Sequence, residues 1–444
     1  MKEKNYYLVS LGCAKNSVDS ESMATLLNQS GYRPVDKPGQ AGVMIVNTCG
    51  FITQAREESL GVLQELAAGK KPGQLLVAAG CLTERSRQLM LDSIDGVDGF
   101  IGTRRWMDIL ELLDELKQEP RTPRYHLPEA ATVGKDERGV HRAALQGASA
   151  YLKIADGCRR PCAFCSIPLI KGTTVSRPME AIVNDAMALQ DAGVQELILI
   201  AQDTTDYGHD LGMTDGLVKL LQEMLPAVPR IPWVRLLYAY PGYVTDKLID
   251  MMASQPQLLH YMDIPLQHAA PDMLKRMKRP SDMDWVNRTI AKMRSAIPDL
   301  AIRTTFIVGY PGETESEFQT LLDFIEETRF DKVGAFTFSF EPGTASEPLG
   351  DPIPEEVKQE RLECLMKLQE KISLSRNQAY IGHTLDVLIE GNGDGISVGR
   401  SYRDAPEIDG LVIIEEEIEP GQIIPVQITG ALTHDLSARV IKTA

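Results

Sequence analysis

Positive charge is in short supply in this sequence: its 444 residues carry 46 Lys plus Arg against 62 Asp plus Glu, a net charge of −16. A protein of that sign repels nucleic acid and anionic membrane on average, unless a local basic groove overrides the mean. Long hydrophobic runs are also missing, and no window approaches the roughly 18 apolar residues of a membrane span. The apolar run before Cys13 covers only residues 6–11, too short for the core of a secretory leader, so a cytoplasmic protein with no membrane partner is expected. Cysteine is sparse and odd in number, seven in all, which argues against a disulfide framework and for metal ligation or catalysis. With 43% hydrophobic and 24% charged residues, composition excludes disorder, a collagen-like fibre and a small disulfide scaffold. The length suggests about three domains.

What is present falls into three blocks. Residues 1–119 hold strand signals at 6–10 (YYLVS), 43–47 (VMIVN) and 75–79 (LLVAA), followed by helical patterns at 17–29, 59–68 and 85–93. That alternation predicts a doubly wound parallel sheet. Residues 120–149, polar and Pro-containing, break the periodicity and read as a linker. Residues 150–378 repeat strand-then-helix six times, with strands at 151–155, 196–201, 234–238, 261–264, 302–308 and 333–338. The matching helices lie at 179–192, 217–225, 246–254, 272–278, 284–296 and 315–327, and a long helix at 354–378 closes the block. An open or partial (β/α)6 barrel is expected, with chemistry at the carboxyl ends of its strands. Residues 379–444 turn β-rich and suggest a small five-stranded, OB-like barrel of net charge −7, from 4 basic and 11 acidic residues.

The cysteines form two sets. Cys158, Cys162 and Cys165 stand at C-x3-C-x2-C in the loop after the first barrel strand. Thiolates select iron–sulfur clusters or zinc; structural zinc wants four closed ligands, and the closest downstream His is His209. Three thiolates on a four-iron cluster leave one iron open to a small molecule. Cys13, Cys49 and Cys81 each follow a strand of the first block, 36 and 32 residues apart. Residues just past neighbouring parallel strands converge on one edge, so these thiolates are expected to meet in a second cluster with an exchangeable iron. The neighbouring Gly12, Gly50 and Gly80 are expected to let backbone approach a bulky inorganic group. The alternative is that strand-end cysteines are small buried hydrophobes. Cys364, at an apolar position of the long helix, is expected in the core.

The C-x3-C-x2-C loop resembles that of the radical S-adenosylmethionine (SAM) superfamily. The resemblance implies that Cys158, Cys162 and Cys165 hold a [4Fe–4S] cluster, with SAM chelated through its amino and carboxylate groups and Phe164 against the adenine. The three blocks together resemble the radical SAM methylthiotransferases over essentially the whole chain, which implies two [4Fe–4S] clusters and a carboxyl-terminal barrel of TRAM type. The segments SLGCAKNSVDSE (10–21), YMDIPLQHAA (261–270) and GRSYRDAPEIDG (399–410) resemble the branch acting on an aspartate of small-subunit ribosomal protein S-twelve. That branch implies hydrogen-atom abstraction at the aspartate β-carbon, where deprotonation is disfavoured by the residue's own carboxylate. The cluster at Cys13, Cys49 and Cys81 is implied to hold the transferred sulfur, and a second SAM the methyl group. A flavodoxin or ferredoxin is the implied electron donor.

The acidic terminal barrel points the same way, since it repels a tRNA backbone and attracts a basic ribosomal protein. It is expected, with the linker, to help close the site. Weaker candidates are Gln202, Gly309 and Glu313 as cofactor contacts, with Asp203, Arg235 and His268 at other strand ends. The run 391–395 (GNGDG) lies between strands with no helix after it and reads as a turn. Two rivals stay open: tRNA adenosine methylthiolation, and a non-catalytic iron–sulfur or zinc protein that binds the ribosome.

Overall fold

The computed structural model describes residues 4–86, 90, 94–118, 123–127 and 138–441. The amino-terminal unit is a six-stranded parallel sheet in the order Arg33–Pro34, Asn5–Ser10, Val43–Thr48, Leu75–Gly80, Gly99–Gly102, Arg124–His126. Its central strand is buried throughout. Ile45 packs into one apolar cluster and Met44 and Val46 into another, as two covered faces require. The helix expected at 17–29 runs Ala14–Gln29 and the one at 59–68 runs Thr53–Ala68. Their first turns are polar, so apolar periodicity starts late. Of the helix expected at 85–93, residues 87–89 and 91–93 lie outside the described residues; Cys81–Arg85 is helical.

The stretch read as a linker needs correction at both ends. Arg124–His126 joins the amino-terminal sheet beside Gly99–Ile101, and Ala143–Gln146 pairs antiparallel with Ser149–Lys153. Both are short edge strands whose order comes from a partner far along the chain, which local pattern does not reveal.

The second unit has the six expected strands: Ser149–Lys153, Glu196–Ile200, Trp233–Leu236, Tyr261–Asp263, Ala301–Val308 and Lys332–Thr337. Hydrogen-bond ladders divide them three and three: the first three form a four-stranded sheet with the edge strand Ala143–Gln146, and the last three form a sheet of their own. Between the third and fourth strands, Val234 instead bonds the connecting segment, donating to the Gln257 carbonyl and accepting from the Leu259 amide. The outward faces of the strands share one core with the surrounding helices, through Leu152, Leu197, Leu199, Leu236 and Ile302. The inward residues Tyr151, Ile198, Ile200 and Tyr261 belong to a different cluster, which also contains Ala14 and Val18 of the first helix and Leu388 and Ala405 of the last unit. Both neighbours therefore fill the lumen of the partial barrel. The helix Glu355–Gln378 packs through Arg361, Leu365 and Ile372. Cys364 is exposed rather than core, because it lies one residue, about 100° of helix, from Leu365.

Residues 384–440 form a closed five-stranded barrel, in the order Thr384–Gly393, Ile396–Ser401, Val412–Ile414, Leu436–Val440, Ile423–Ala431. The 391–395 run is a hairpin, turned at Asp394 and Gly395 with φ of 53° and 83°. This barrel sits at the amino ends of the radical-SAM-like strands. Arg400 Nη2 donates to Glu196 Oε2 (2.6 Å), Lys332 Nζ lies 2.6 Å from Asp404, and Tyr261 Oη donates to Asp409 (2.6 Å). The terminal barrel thus plugs the lumen from the end opposite the cysteine loops, a different role from the closure expected at the site itself.

Candidate functional site

Cys13 is the N-cap of the helix Ala14–Gln29, Cys49 directly follows Val43–Thr48, and Cys81 opens the helix Cys81–Arg85. Their strands are immediate neighbours, so the three residues share one sheet edge. Asn16 holds that edge together: its Nδ2 donates to the carbonyls of Leu11 (2.9 Å) and Thr48 (3.0 Å), and its Oδ1 accepts from the Cys81 thiol (3.6 Å). Asn47 Nδ2 in turn donates to the Asn16 carbonyl and to Ser20 Oγ, both at 2.9 Å. Sequence reasoning does not single out Asn16; the available signal is an amide side chain in the first turn after Cys13. The flanking glycines are also required by the protein's own packing. A Cβ on Gly12 would stand 2.9 Å from Cys49 Sγ, one on Gly50 2.7 Å from the Leu82 nitrogen, and one on Gly80 2.3 Å from Asn47 Oδ1. They let three strand ends crowd one another, which brings the thiols together.

Cys158, Cys162 and Cys165 line a cleft of about 430 Å³ together with Arg160, Thr173 and Thr344. The Arg160 amide and Arg279 Nη1 each donate at 3.5 Å, to Cys158 Sγ and Cys162 Sγ respectively. Both guanidiniums lie over the Tyr240 ring, but only that of Arg279 directs a cationic N–H at a sulfur atom; the Arg160 guanidinium binds Asp203. Burial pushes the thiols of Cys158 to about 11 and of Cys165 to about 12. Burial likewise raises Cys49, and it takes Cys81 to about 12. Burial also raises Cys13, but the Lys15 and Lys171 ammoniums and the backbone amides of Asn16 and Lys15 outweigh it and hold that thiol below its ordinary value. Cys13 is exposed at the sheet edge, whereas Cys49 and Cys81 are buried.

All seven cysteines are free. Among the described residues, neither three-cysteine set has all its sulfur atoms within 4.8 Å of one another. A single tetrahedral zinc at 2.3 Å from each sulfur draws its ligands to about 3.8 Å apart. A cubane cluster spreads them wider, since each thiolate binds a different iron, and both sets fit that group better than one ion. The compact group Asp108, Glu111 and His126 is saturated instead by Arg105 and Arg138.

The two sets face one interface. Ser166, next to Cys165, donates from Oγ to the carbonyl of Phe51 (3.2 Å), two residues from Cys49. Arg85 Nη1 binds the Gly50 carbonyl (2.8 Å) and Glu341 (2.7 Å), and Arg56 also pairs with Glu341. A second cleft, about 680 Å³, opens between Phe51–Glu57 and the barrel side chains Phe164, Gln267, Ile307 and Phe338. Behind the cysteines lies a buried charge cluster in which Asp19 meets Arg142, Lys153 (2.6 Å) and Lys171 (3.2 Å), while Asp156 meets Lys171 (3.0 Å) and Lys153 (3.2 Å). Burial raises the Asp19 carboxyl, but the three cations hold it far below the usual carboxylate range.

The weaker candidates separate. Both amide atoms of Gln202 are buried with no partner among the described residues, so it is free for a ligand. Asp203 is spent on Arg160 (2.6 Å) and on capping residues 204–206. Arg235 is bound to Glu196 (2.7 Å) and to the Tyr402 carbonyl. His268 Nδ1 accepts from the Ala270 amide, leaving Nε2 to donate to Glu313 Oε1 (3.0 Å). Glu313 Oε2 accepts from the Gly309 amide and Arg361, both at 2.6 Å, and a Cβ on Gly309 would lie 2.4 Å from Lys358. Gly309 and Glu313 therefore come together in one turn, and both Glu313 oxygens are engaged within the protein.

Comparison with known proteins agrees with this architecture. Residues 152–325 match the radical SAM superfamily, residues 5–102 the uncharacterized protein family UPF0004, and residues 381–441 the TRAM domain. The fold is similar to that of the radical SAM methyltransferase TsrM from Kitasatospora setae, with TM-score 0.56 and 14% identity, covering 78% of this chain and 74% of that one. The class defined by fold and cysteine loop is thus a radical SAM enzyme carrying an added cysteine unit and a TRAM barrel. Curated proteins named ribosomal protein uS12 methylthiotransferase RimO are similar over nearly the whole length. The one from Chloroflexus aurantiacus is 48% identical, covering 97% of this chain and 98% of its own, and one from a Roseiflexus species is 46% identical, covering 98% and 97%. The chain belongs to the family of ribosomal protein uS12 methylthiotransferases, whose cofactors are SAM and [4Fe–4S] clusters. No helix among the described residues is long and apolar enough to cross a membrane.

Proposed function

We propose that this chain adds a methylthio group to the β-carbon of an aspartate in ribosomal protein uS12. Cys158, Cys162 and Cys165 hold one [4Fe–4S] cluster and Cys13, Cys49 and Cys81 a second. The observation that carries the reading is the meeting of two wide-set thiol triads at one interface, joined by the Ser166–Phe51 contact. Bound there, clusters and SAM supply hydrogen-atom abstraction at an unactivated carbon, sulfur and a methyl group. The protein's own part is to hold and enclose. Arg160 and Arg279 direct N–H groups at sulfur, Gln202 offers an unpaired amide to SAM, and Phe164 lines the cleft beside Phe51. The functional division proposed is a sulfur-donating unit through residue 119, a radical SAM unit over 150–378 and a barrel from 379 that engages substrate. The exposed Glu415, Glu416, Glu417 and Glu419 suit a basic ribosomal protein, free or in the ribosome, with nucleic acid only incidental and a flavodoxin or ferredoxin as reductant.

Anaerobic reconstitution followed by incubation with SAM, reductant and purified uS12 tests this. About eight iron per chain, as two four-iron clusters, SAM cleavage and a uS12 mass raised by one methylthio group are expected. An unchanged uS12 alongside modified tRNA would overturn the substrate, and about four iron without SAM cleavage would overturn the enzyme.

A further inference from the structure

Every buried cation of the charge cluster behind the cysteines has a carboxylate partner. Arg142, Lys153 and Lys171 are met by Asp19 and Asp156, and nearby Arg303 is met by Asp263 (3.0 Å). Lys15 is different. It is only 9% exposed, and among the described residues its ammonium has no carboxylate within ion-pair distance. What it has is the face of Tyr238, with Nζ 3.2 Å from the ring centroid.

The anionic groups that act on Lys15 are already committed. Asp263 binds Arg303 and the Tyr238 amide, Asp156 binds Lys153 and Lys171, and Cys13 is assigned above to a cluster. Glu407 of the terminal barrel bears on Tyr238 but forms no ion pair with Lys15. The ring itself is held at a cost: Tyr238 has φ of 63°, a left-handed conformation unfavourable for an aromatic residue. Its amide bond to Asp263 and its carbonyl's bond from the Thr204 amide (3.0 Å) fix it there. A cation–π contact offsets only part of the loss of hydration of a buried ammonium. A strained tyrosine under an unpaired cation, two residues from Cys13, is a seat prepared for an anion that arrives with the substrate.

We propose that Lys15 binds the side-chain carboxylate of the residue being modified, so that charge selects the target residue and orients its β-carbon toward the interface between the two cysteine triads. The inference rests on the functional reading above and adds the group that recognises the substrate. Lysine suits the task as a compact cation with three donors.

The test uses reconstituted enzyme and uS12 in two forms, wild type and one with the modified aspartate replaced by asparagine. Wild-type enzyme is expected to bind the asparagine form at least about 30-fold more weakly, the range for losing one partner of a buried charge pair. Lys15→Met is expected to raise KM for uS12 by a similar factor, to bind both forms alike, and to keep about eight iron. Lys15→Arg, which retains the charge, is expected to restore the preference for aspartate. Equal binding of the two forms by wild-type enzyme overturns the assignment without recourse to any enzyme variant. An undiminished preference in Lys15→Met overturns it too. Failure of wild-type enzyme to modify uS12 at all is a separate result, and it overturns the functional reading together with this one.

Discussion

Glu196 is the joint between the radical SAM unit and the terminal barrel, and its removal has a calculable effect. It is fully buried and accepts from Arg235 Nε (2.7 Å), Arg400 Nη2 (2.6 Å) and Ser149 Oγ (2.9 Å). Burial raises its carboxyl, but the two guanidiniums prevail and bring it from 4.5 to about 2. Each tenfold change in proton affinity is worth about 1.4 kcal/mol, so the charged form gains about 3 kcal/mol from its folded surroundings. Glu196→Gln leaves the buried Arg235 without its anion and Arg400 with only the half-buried Glu390 (2.7 Å), and removing one partner of a buried ion pair usually costs about 3–5 kcal/mol. Because Arg400 lies on the terminal barrel, the loss falls on docking of residues 400–409. Amide exchange there is expected to speed up by about 100-fold or more, with exchange in the sheet of residues 5–102 unchanged. A depressed carboxyl stabilises fully above its unfolded value and loses that contribution as pH falls. Docking in the wild type therefore weakens below about pH 4.5 and on toward 2, whereas in Glu196→Gln this dependence is absent. Unaltered exchange of residues 400–409 in the variant would refute the argument that this triad holds the barrel in the lumen.

Other outcomes follow from the same geometry. Replacing Cys13, Cys49 and Cys81 together by Ala is expected to leave about four iron per chain and to preserve SAM cleavage while abolishing uS12 modification; Cys158→Ala is expected to abolish SAM cleavage. Asn16→Ala unpairs the carbonyls of Leu11 and Thr48 at about 1–3 kcal/mol, and is expected to lower iron from about eight toward four while keeping the barrel cluster. Retention of all iron would show that Asn16 does not position the thiols. Asp19→Asn leaves Arg142, Lys153 and Lys171 with Asp156 alone, and thermal unfolding should reveal a loss of about 3–5 kcal/mol.

Much of this protein is written in its sequence because the relevant signals are local. Strand-then-helix alternation announced the parallel sheet and the six barrel strands, since apolar periodicity is a property of short segments. The spacing of Cys158, Cys162 and Cys165 is a single loop, legible without a fold. Even the convergence of Cys13, Cys49 and Cys81 could be read, because topology alone sends the ends of neighbouring parallel strands to one edge. Tertiary structure decided what depends on distant partners. It turned Arg124–His126 and Ala143–Gln146 into strands, set the glycines against neighbouring strand ends, and placed the terminal barrel at the opposite mouth of the lumen. It engaged Glu313 and Asp203 internally while leaving Gln202 unpaired among the described residues, and it gave Asn16 and Lys15 their surroundings. Pairing and burial are properties of the folded chain; residue type and spacing limit them, but only the packed neighbours determine which polar groups are satisfied and which remain free for a ligand.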